Sequence, residues 1–286
     1  MSRTSRQYQY EPERRYPRRR RRGYRLHPVR LLFALGLLAA LVVIAALLVS
    51  YARGRRGYDD LRDAVLATPT PAVVTPPADT QAPGEAAPAT PSPTPELSFT
   101  VDWAALKKKN RHVRAWLYCP DTNLSYPVVQ YTDNTYYLTH NFDRDEDDAG
   151  ALYFDCGTLF SNGFENWIIY GHRRNDGSMF GSLVKFSEES YWQAHPVMYL
   201  LTEERTYRVE LFSCRTVHAY PEYFTRWFED ARAFQKYIDK TIEHSYWSPG
   251  FAVGTDYPIL TLATCSTYGH DSDPRLLVHG RLVPIE

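Results

Sequence analysis

The chain has 286 residues, 44% of them hydrophobic, with four cysteines and 33 basic against 33 acidic side chains. The neutral total hides an asymmetry: residues 1–63 hold fifteen arginines and five acidic residues, whereas residues 64–286 hold 18 basic and 28 acidic. The acidic larger part argues against nucleic acid as a partner, and no CxxC pair occurs among Cys119, Cys156, Cys214 and Cys265 to suggest a zinc site.

Residues 1–30 carry eleven arginines and read as a basic cytoplasmic tail. Residues 31–52 form an uncharged apolar run of 22 residues, enough for a transmembrane helix at about 20 residues per span. The excess of arginine before the run places the N-terminus inside and the rest of the chain outside. A cleaved signal peptide is the competing reading, but its apolar region is normally about 7–15 residues. Residues 53–96 come next as a juxtamembrane segment and Pro-rich linker. Its part 67–96 has nine prolines and no aromatic residue, which predicts a stiff spacer reaching up to about 90 Å and holding a domain off the membrane. Residues 97–286 are the expected folded domain.

That domain opens with "WAALKKKNRHV", a helical pattern that Asp102 is placed to cap. β-like runs then dominate: "AWLYC", "YPVVQ", "ALYFD", "NWIIYGH", "PVMYLLT", "TYRVELFSC", "PILTLATC" and "RLLVHGRLV". A second helical pattern, "DARAFQKYIDKTIEHS", puts Phe234, Tyr237, Ile238 and Ile242 on one face. Many short strands with few helices predict a mainly β domain, a barrel or sandwich with helical insertions. Cys119, Cys156 and Cys214 lie in or beside apolar runs and read as small buried hydrophobes.

"TLATCSTYGHDSDPRLLVHGRLV" is the stretch where chemistry concentrates. If its two β-like runs pair across the polar loop, Cys265 and Arg275 become near neighbours, with Cβ atoms about 5 Å apart. A cysteine nucleophile needs its thiolate favoured, a proton for the leaving amine and a stabilised oxyanion. A guanidinium beside the thiol supplies charge at any relevant pH. His172 ends the run "NWIIYGH" before a polar loop and is a candidate acid/base; His270, in the loop after Cys265, is a rival on proximity. Taken singly, a strand-end cysteine is more often packing than a nucleophile, so the residues alone give a candidate Cys–His–Arg site and no more.

Three segments carry a resemblance in matching order. "TLATC" with the arginine of "RLLVHGRLV", the histidine segment "IIYGHRRNDGSMFGSL", and residues 101–156 resemble the sortases, class B in particular. The resemblance covers roughly residues 97–286. It implies a closed eight-stranded sortase-type β-barrel with an N-terminal helix and a helical insertion before the last strands. It implies a membrane-anchored cysteine transpeptidase of Gram-positive type, without metal or other cofactor. Such an enzyme cuts a C-terminal sorting motif of a surface protein after threonine, holds it as a thioester and passes it to an amine of a peptidoglycan precursor. The motif matches make Cys265 the nucleophile, His172 the general acid/base and Arg275 the oxyanion and substrate holder. They place Asn134, Leu138, Tyr170 and Thr264 along the peptide groove, with an Asn-Pro-x-Thr type of motif as the expected ligand. From placement alone, Tyr223 and Phe224 are expected as an apolar wall. Ala263 stands where the family often has serine, and Ser266 and Thr267 where some class B members have acidic residues. Asp271 and Asp273, further along the loop, are candidates to orient His172, a role the sequence does not show. The alternatives are a cysteine endopeptidase with water as acceptor, a pilin-polymerising sortase, and a surface module whose cysteine is structural.

Overall fold

All eight β-like runs become strands of one sheet that closes on itself, in the computed structural model of the chain. The structure describes residues 28–67, 97, 99–161, 163–218, 220–265 and 274–285. The basic tail 1–27, nearly all of the Pro-rich segment, and the loop 266–273 with Ser266, Thr267, His270, Asp271 and Asp273 lie outside the described residues.

Helix α1 (Pro28–Val65) is divided between two compact units, residues 1–48 and 49–286. In the first, Pro28–Ala46 is long and apolar enough to cross a membrane. In the second, the remainder of α1 packs on the barrel domain, burying Tyr58, Leu61 and Val65 in its main core. The short strand β1 (Leu66–Ala67) then pairs antiparallel with β2 (Thr100–Val101). One expected boundary moves here. Part of the supposed juxtamembrane segment belongs to the folded core. The residues that bracket the Pro-rich segment are paired, Ala67 being opposite Thr100.

Asp102 caps α2 (Trp103–Lys109), its carboxylate accepting from the Ala105 amide at 2.9 Å. The helix stops before "NRHV", and Val113 already opens a strand, because β-sheet pairing overrides weak local helicity there. The barrel strands are β3 (Val113–Tyr118), β4 (Ser125–Gln130), β5 (Leu152–Phe154), β6 (Asn166–His172), β7 (Val197–Thr202), β8 (Thr206–Val217), β9 (Ile259–Cys265) and β10 (Arg275–Ile285). Their order around the barrel is β10, β8, β7, β3, β4, β5, β6, β9 and back to β10. Two pairs are parallel, β4 with β5 and β6 with β9. A parallel neighbour needs a long crossover, and between β6 and β9 the chain inserts α3 (Glu189–Ala194), β7, β8 and α4 (Ala231–Glu243).

Side chains alternate between inside and outside with period two. Trp167, Ile169, Leu260, Leu262, Leu276 and Val278 enter the main core. Ile168, Ala263 and Leu277 point the other way, into a separate outer cluster with Val217. Helix α4 covers a third cluster through Phe234 and Ile238. Cys119 and Cys214 are buried, and burial pushes both thiols up to about 12. Cys156, read as a buried hydrophobe, is instead exposed, because the strand β5 ends two residues earlier.

Candidate active site

The register of three adjacent strands builds the site. In the parallel pair β6–β9, His172 and Cys265 are the last partners. In the antiparallel pair β9–β10, the register ends with Leu277 facing Ala263, two residues short of Arg275 and of Cys265. Adjacent strands lie about 4.8 Å apart. Positions 172, 265 and 275 also share the outward parity of Ile168, Ala263 and Leu277. Positions 172, 265 and 275 therefore lie on three adjacent strands at one end of the barrel.

His172 is held from behind. Its Nε2 is 2.7 Å from the Leu138 carbonyl oxygen. A carbonyl only accepts, so Nε2 carries the proton and Nδ1 is the nitrogen free for exchange. This backbone oxygen occupies the role often given to a carboxylate. Burial pushes the imidazole below its ordinary value; the Leu138 contact and Asp148 oppose this, while Arg174 and Arg275 add to it. The motif's glycine is a packing requirement: a Cβ on Gly171 would lie 2.3 Å from Leu152 and 2.8 Å from Phe180. Gly150, at φ +58°, lies against the same histidine, since a Cβ there would be 2.9 Å from the Leu138 oxygen and 3.0 Å from His172 Cδ2.

Arg275 opens β10, and its Nη1 is buried without a hydrogen-bond partner among the described residues. A desolvated guanidinium N–H without a partner is costly, and a carbonyl oxygen brought beside Cys265 would satisfy it. Thr264 is on the inner side, where its hydroxyl accepts from the Leu276 amide at 3.0 Å and ties the end of β9 to the start of β10. It does not join the outer face.

The other residues expected at a groove divide in two. Asn134 and Tyr170 meet on one carboxylate. Asp155 Oδ2 accepts from Asn134 Nδ2 at 2.9 Å and from the Tyr170 hydroxyl at 3.1 Å. Its Oδ1 accepts from Arg226 Nη1 at 2.7 Å and from the Gly157 amide at 2.8 Å. Burial alone would raise the Asp155 carboxyl, but Arg226 and these donors hold it below its ordinary value. Tyr223 and Phe224 pack, with Tyr170, over the outer cluster of Ile168, Val217, Ala263 and Leu277. Arg215 stacks on the Tyr223 ring at 4.9 Å. Leu138 is part-buried against the core and contributes its main chain to His172. Sequence reasoning missed Asp155, Arg226 and the Leu138 carbonyl. A carboxylate ending the apolar run "ALYFD" was a faint signal for the first; nothing local pointed to Arg226, 71 residues away.

A cysteine position paired with a histidine at a strand end, with an arginine opening the adjacent strand, is an arrangement suited to cysteine acyl transfer. The sequence profile of the sortase domain matches residues 117–283, and the chain belongs to the sortase family, class B, as a cysteine transpeptidase. It is 32% identical over 178 residues to Sortase B of Listeria monocytogenes, covering 62% of this chain and 72% of that one. Among solved structures, a Staphylococcus aureus sortase B–substrate complex aligns with a TM-score of 0.61 at 26% identity, covering 64% of this chain and 85% of the other. Sortase B of Bacillus anthracis in complex with AAEK1 aligns with a TM-score of 0.58 at 33% identity, covering 63% and 83%.

Proposed function

We propose that the chain cleaves a C-terminal sorting motif of surface proteins after its threonine and transfers the acyl group to an amine of a peptidoglycan precursor. The reading is carried by one observation: His172 and Cys265 pair at the ends of adjacent parallel strands, and Arg275, whose Nη1 is buried without a partner among the described residues, opens the strand next to them. The Cys265 thiol gives its proton to His172 Nδ1 as the sulfur attacks the threonine carbonyl carbon, and Arg275 takes the developing oxyanion. His172 Nδ1–H protonates the leaving amide nitrogen as the C–N bond breaks, leaving a thioester. The acceptor amine then attacks the thioester, His172 takes its proton, and the thiolate departs. Arg174 and Arg275 both press His172 towards the neutral imidazole that can take this proton.

The groove for the peptide is read as Tyr170, Tyr223 and Phe224 along the outer cluster, with Asn134 at its polar end and Leu138 at the histidine. An Asn-Pro-x-Thr type of motif fits this mixed lining. The apolar stretch Pro28–Ala46 is the membrane anchor in this reading, with the N-terminus cytoplasmic and the barrel outside.

Mass spectrometry of the protein incubated with an Asn-Pro-x-Thr peptide, with and without triglycine, tests this. An acyl adduct on Cys265 and an amide product with triglycine are expected; free acid alone, even at high amine, means a hydrolase. Cys265→Ala should give neither. Arg275→Lys keeps the charge but loses the planar fork, and kcat should fall about 100-fold or more.

A further inference from the structure

The domain's share of α1 lies against the segment that holds the catalytic histidine. Tyr58 is 8% exposed. Its hydroxyl donates to the Gly150 carbonyl at 2.8 Å and accepts from the Phe142 amide at 3.3 Å. Its ring sits edge-on to Tyr126 at 5.3 Å, so the side chain is fixed at both ends. One turn earlier, Gly54 comes so close that a Cβ there would be 3.4 Å from the Asp147 carboxylate and 3.5 Å from Ala149.

The segment they grip is closed on itself. The Asp147 amide donates to Thr139 O at 2.9 Å, the Gly150 amide to Asp147 O at 2.9 Å, and the Ala151 amide to Tyr137 O at 3.0 Å. A shift of Gly150 is thereby passed to residues 137–139. Gly150 already touches both ends of the contact that matters, the Leu138 oxygen and the His172 ring. Packed side chains and hydrogen bonds of this kind transmit position between elements.

We infer that Tyr58 is a positioning residue for the reaction: through Gly150 it fixes the Leu138 carbonyl and so the tautomer and orientation of His172. The inference rests on His172 being the general acid/base. It gives the helix beyond the apolar stretch a part in the active site, although it supplies no atom to it. Orienting partners of a reactive histidine act in this way, by selecting which ring nitrogen keeps the proton.

The test uses Tyr58→Phe in the full chain in lipid nanodiscs, with 15N-labelled histidine and the His172 signal assigned by its loss in His172→Gln. Removing the hydroxyl should bring the two ring-nitrogen shifts of neutral His172 closer together, as a second tautomer becomes populated. Its titration midpoint should move down as the Leu138 contact loosens. Asp148, Arg174 and Arg275, the charged groups that act on His172, are unchanged in the variant. The kcat for acylation should fall about tenfold with KM for the peptide unchanged. Leu61→Ala, which loosens the same helix without touching Gly150, should lower the melting temperature yet leave His172 shifts and kcat alone. Wild-type His172 shifts in Tyr58→Phe overturn the inference, whatever kcat does. Altered shifts with unchanged kcat uphold the brace and count against His172 as acid/base, so the two readings fail separately.

Discussion

Asp155 shows how one residue can hold two others in place. Asn134 and Tyr170 project from different segments, yet both end on the same carboxylate oxygen, while Arg226 neutralises the other. Asp155→Asn keeps the shape and removes the charge. The Arg226 guanidinium is 39% exposed, so the loss of the pair is cushioned by water, and a stability cost of about 1 kcal/mol is expected. The larger effect should be on recognition: KM for the peptide should rise about tenfold with little change in kcat, because two groove residues lose their common support. Steady-state kinetics of the variant decides this, and a fall in kcat alone would place Asp155 in a different role. His279 is a second residue with a consequence. It is fully buried on β10, neither ring nitrogen has a partner among the described residues, and α4 packs over the strand it pairs with. Burial, with Arg215 adding to it, holds its pKa well below 6.5. The unfolded chain therefore binds a proton that the folded one refuses. Stability is fully present above about pH 6.5 and is lost as pH falls, at up to about 1.4 kcal/mol per pH unit. Melting temperatures between pH 7 and pH 5 should fall less steeply in His279→Leu than in the wild type.

At the scale of elements, the N-terminal boundary carries the next expectation. A chain beginning at residue 97 lacks Tyr58, Leu61 and Val65, which are all buried in the main core. Each such side chain contributes about 1.5–3 kcal/mol, so that chain should unfold several kcal/mol more easily in urea than one beginning at residue 49. Equal midpoints would mean the helix only rests on the barrel. The strands themselves were legible in the sequence. "NWIIYGH" matches β6 end to end and "PILTLATC" overlaps β9 with one residue to spare, because dense β-branched and aromatic residues bounded by turn residues leave few other fates. The antiparallel pairing of β9 with β10 was legible too, since a short loop favours an antiparallel return. The packing of α1 was not. Its apolar positions Tyr58, Leu61 and Val65 recur at helical spacing, but they come after a longer apolar run and sit among arginines, so the run dominates the pattern. Main-chain partners such as the Leu138 oxygen leave no mark on a sequence, because any residue carries a carbonyl. Charge pairs such as Asp155 and Arg226 form only when the closed barrel brings distant segments together.

For the molecule as a whole, the pairing that brackets the Pro-rich segment makes its part as a spacer testable. A spacer in line with the chain transmits its length to the domain at its far end. A loop whose ends are paired, with Ala67 opposite Thr100, transmits none. Leu97 and Phe99 also pack against the core just before β2, which fastens the return point. Closing a loop costs entropy that grows slowly with length, by about 0.6 kcal/mol per doubling. Replacing residues 70–94 with a short flexible turn cuts the loop by roughly two doublings, so the domain should become about 1 kcal/mol more stable. In-vitro acylation of Cys265 should be unchanged, because Tyr58, Gly150 and the strand ends are untouched. Attachment of surface proteins in cells should also persist, since the linkage between the apolar stretch and the barrel runs through α1 itself. If the segment acts as a spacer instead, the same excision leaves the purified enzyme intact but abolishes attachment in cells, and the comparison of the two assays separates the outcomes.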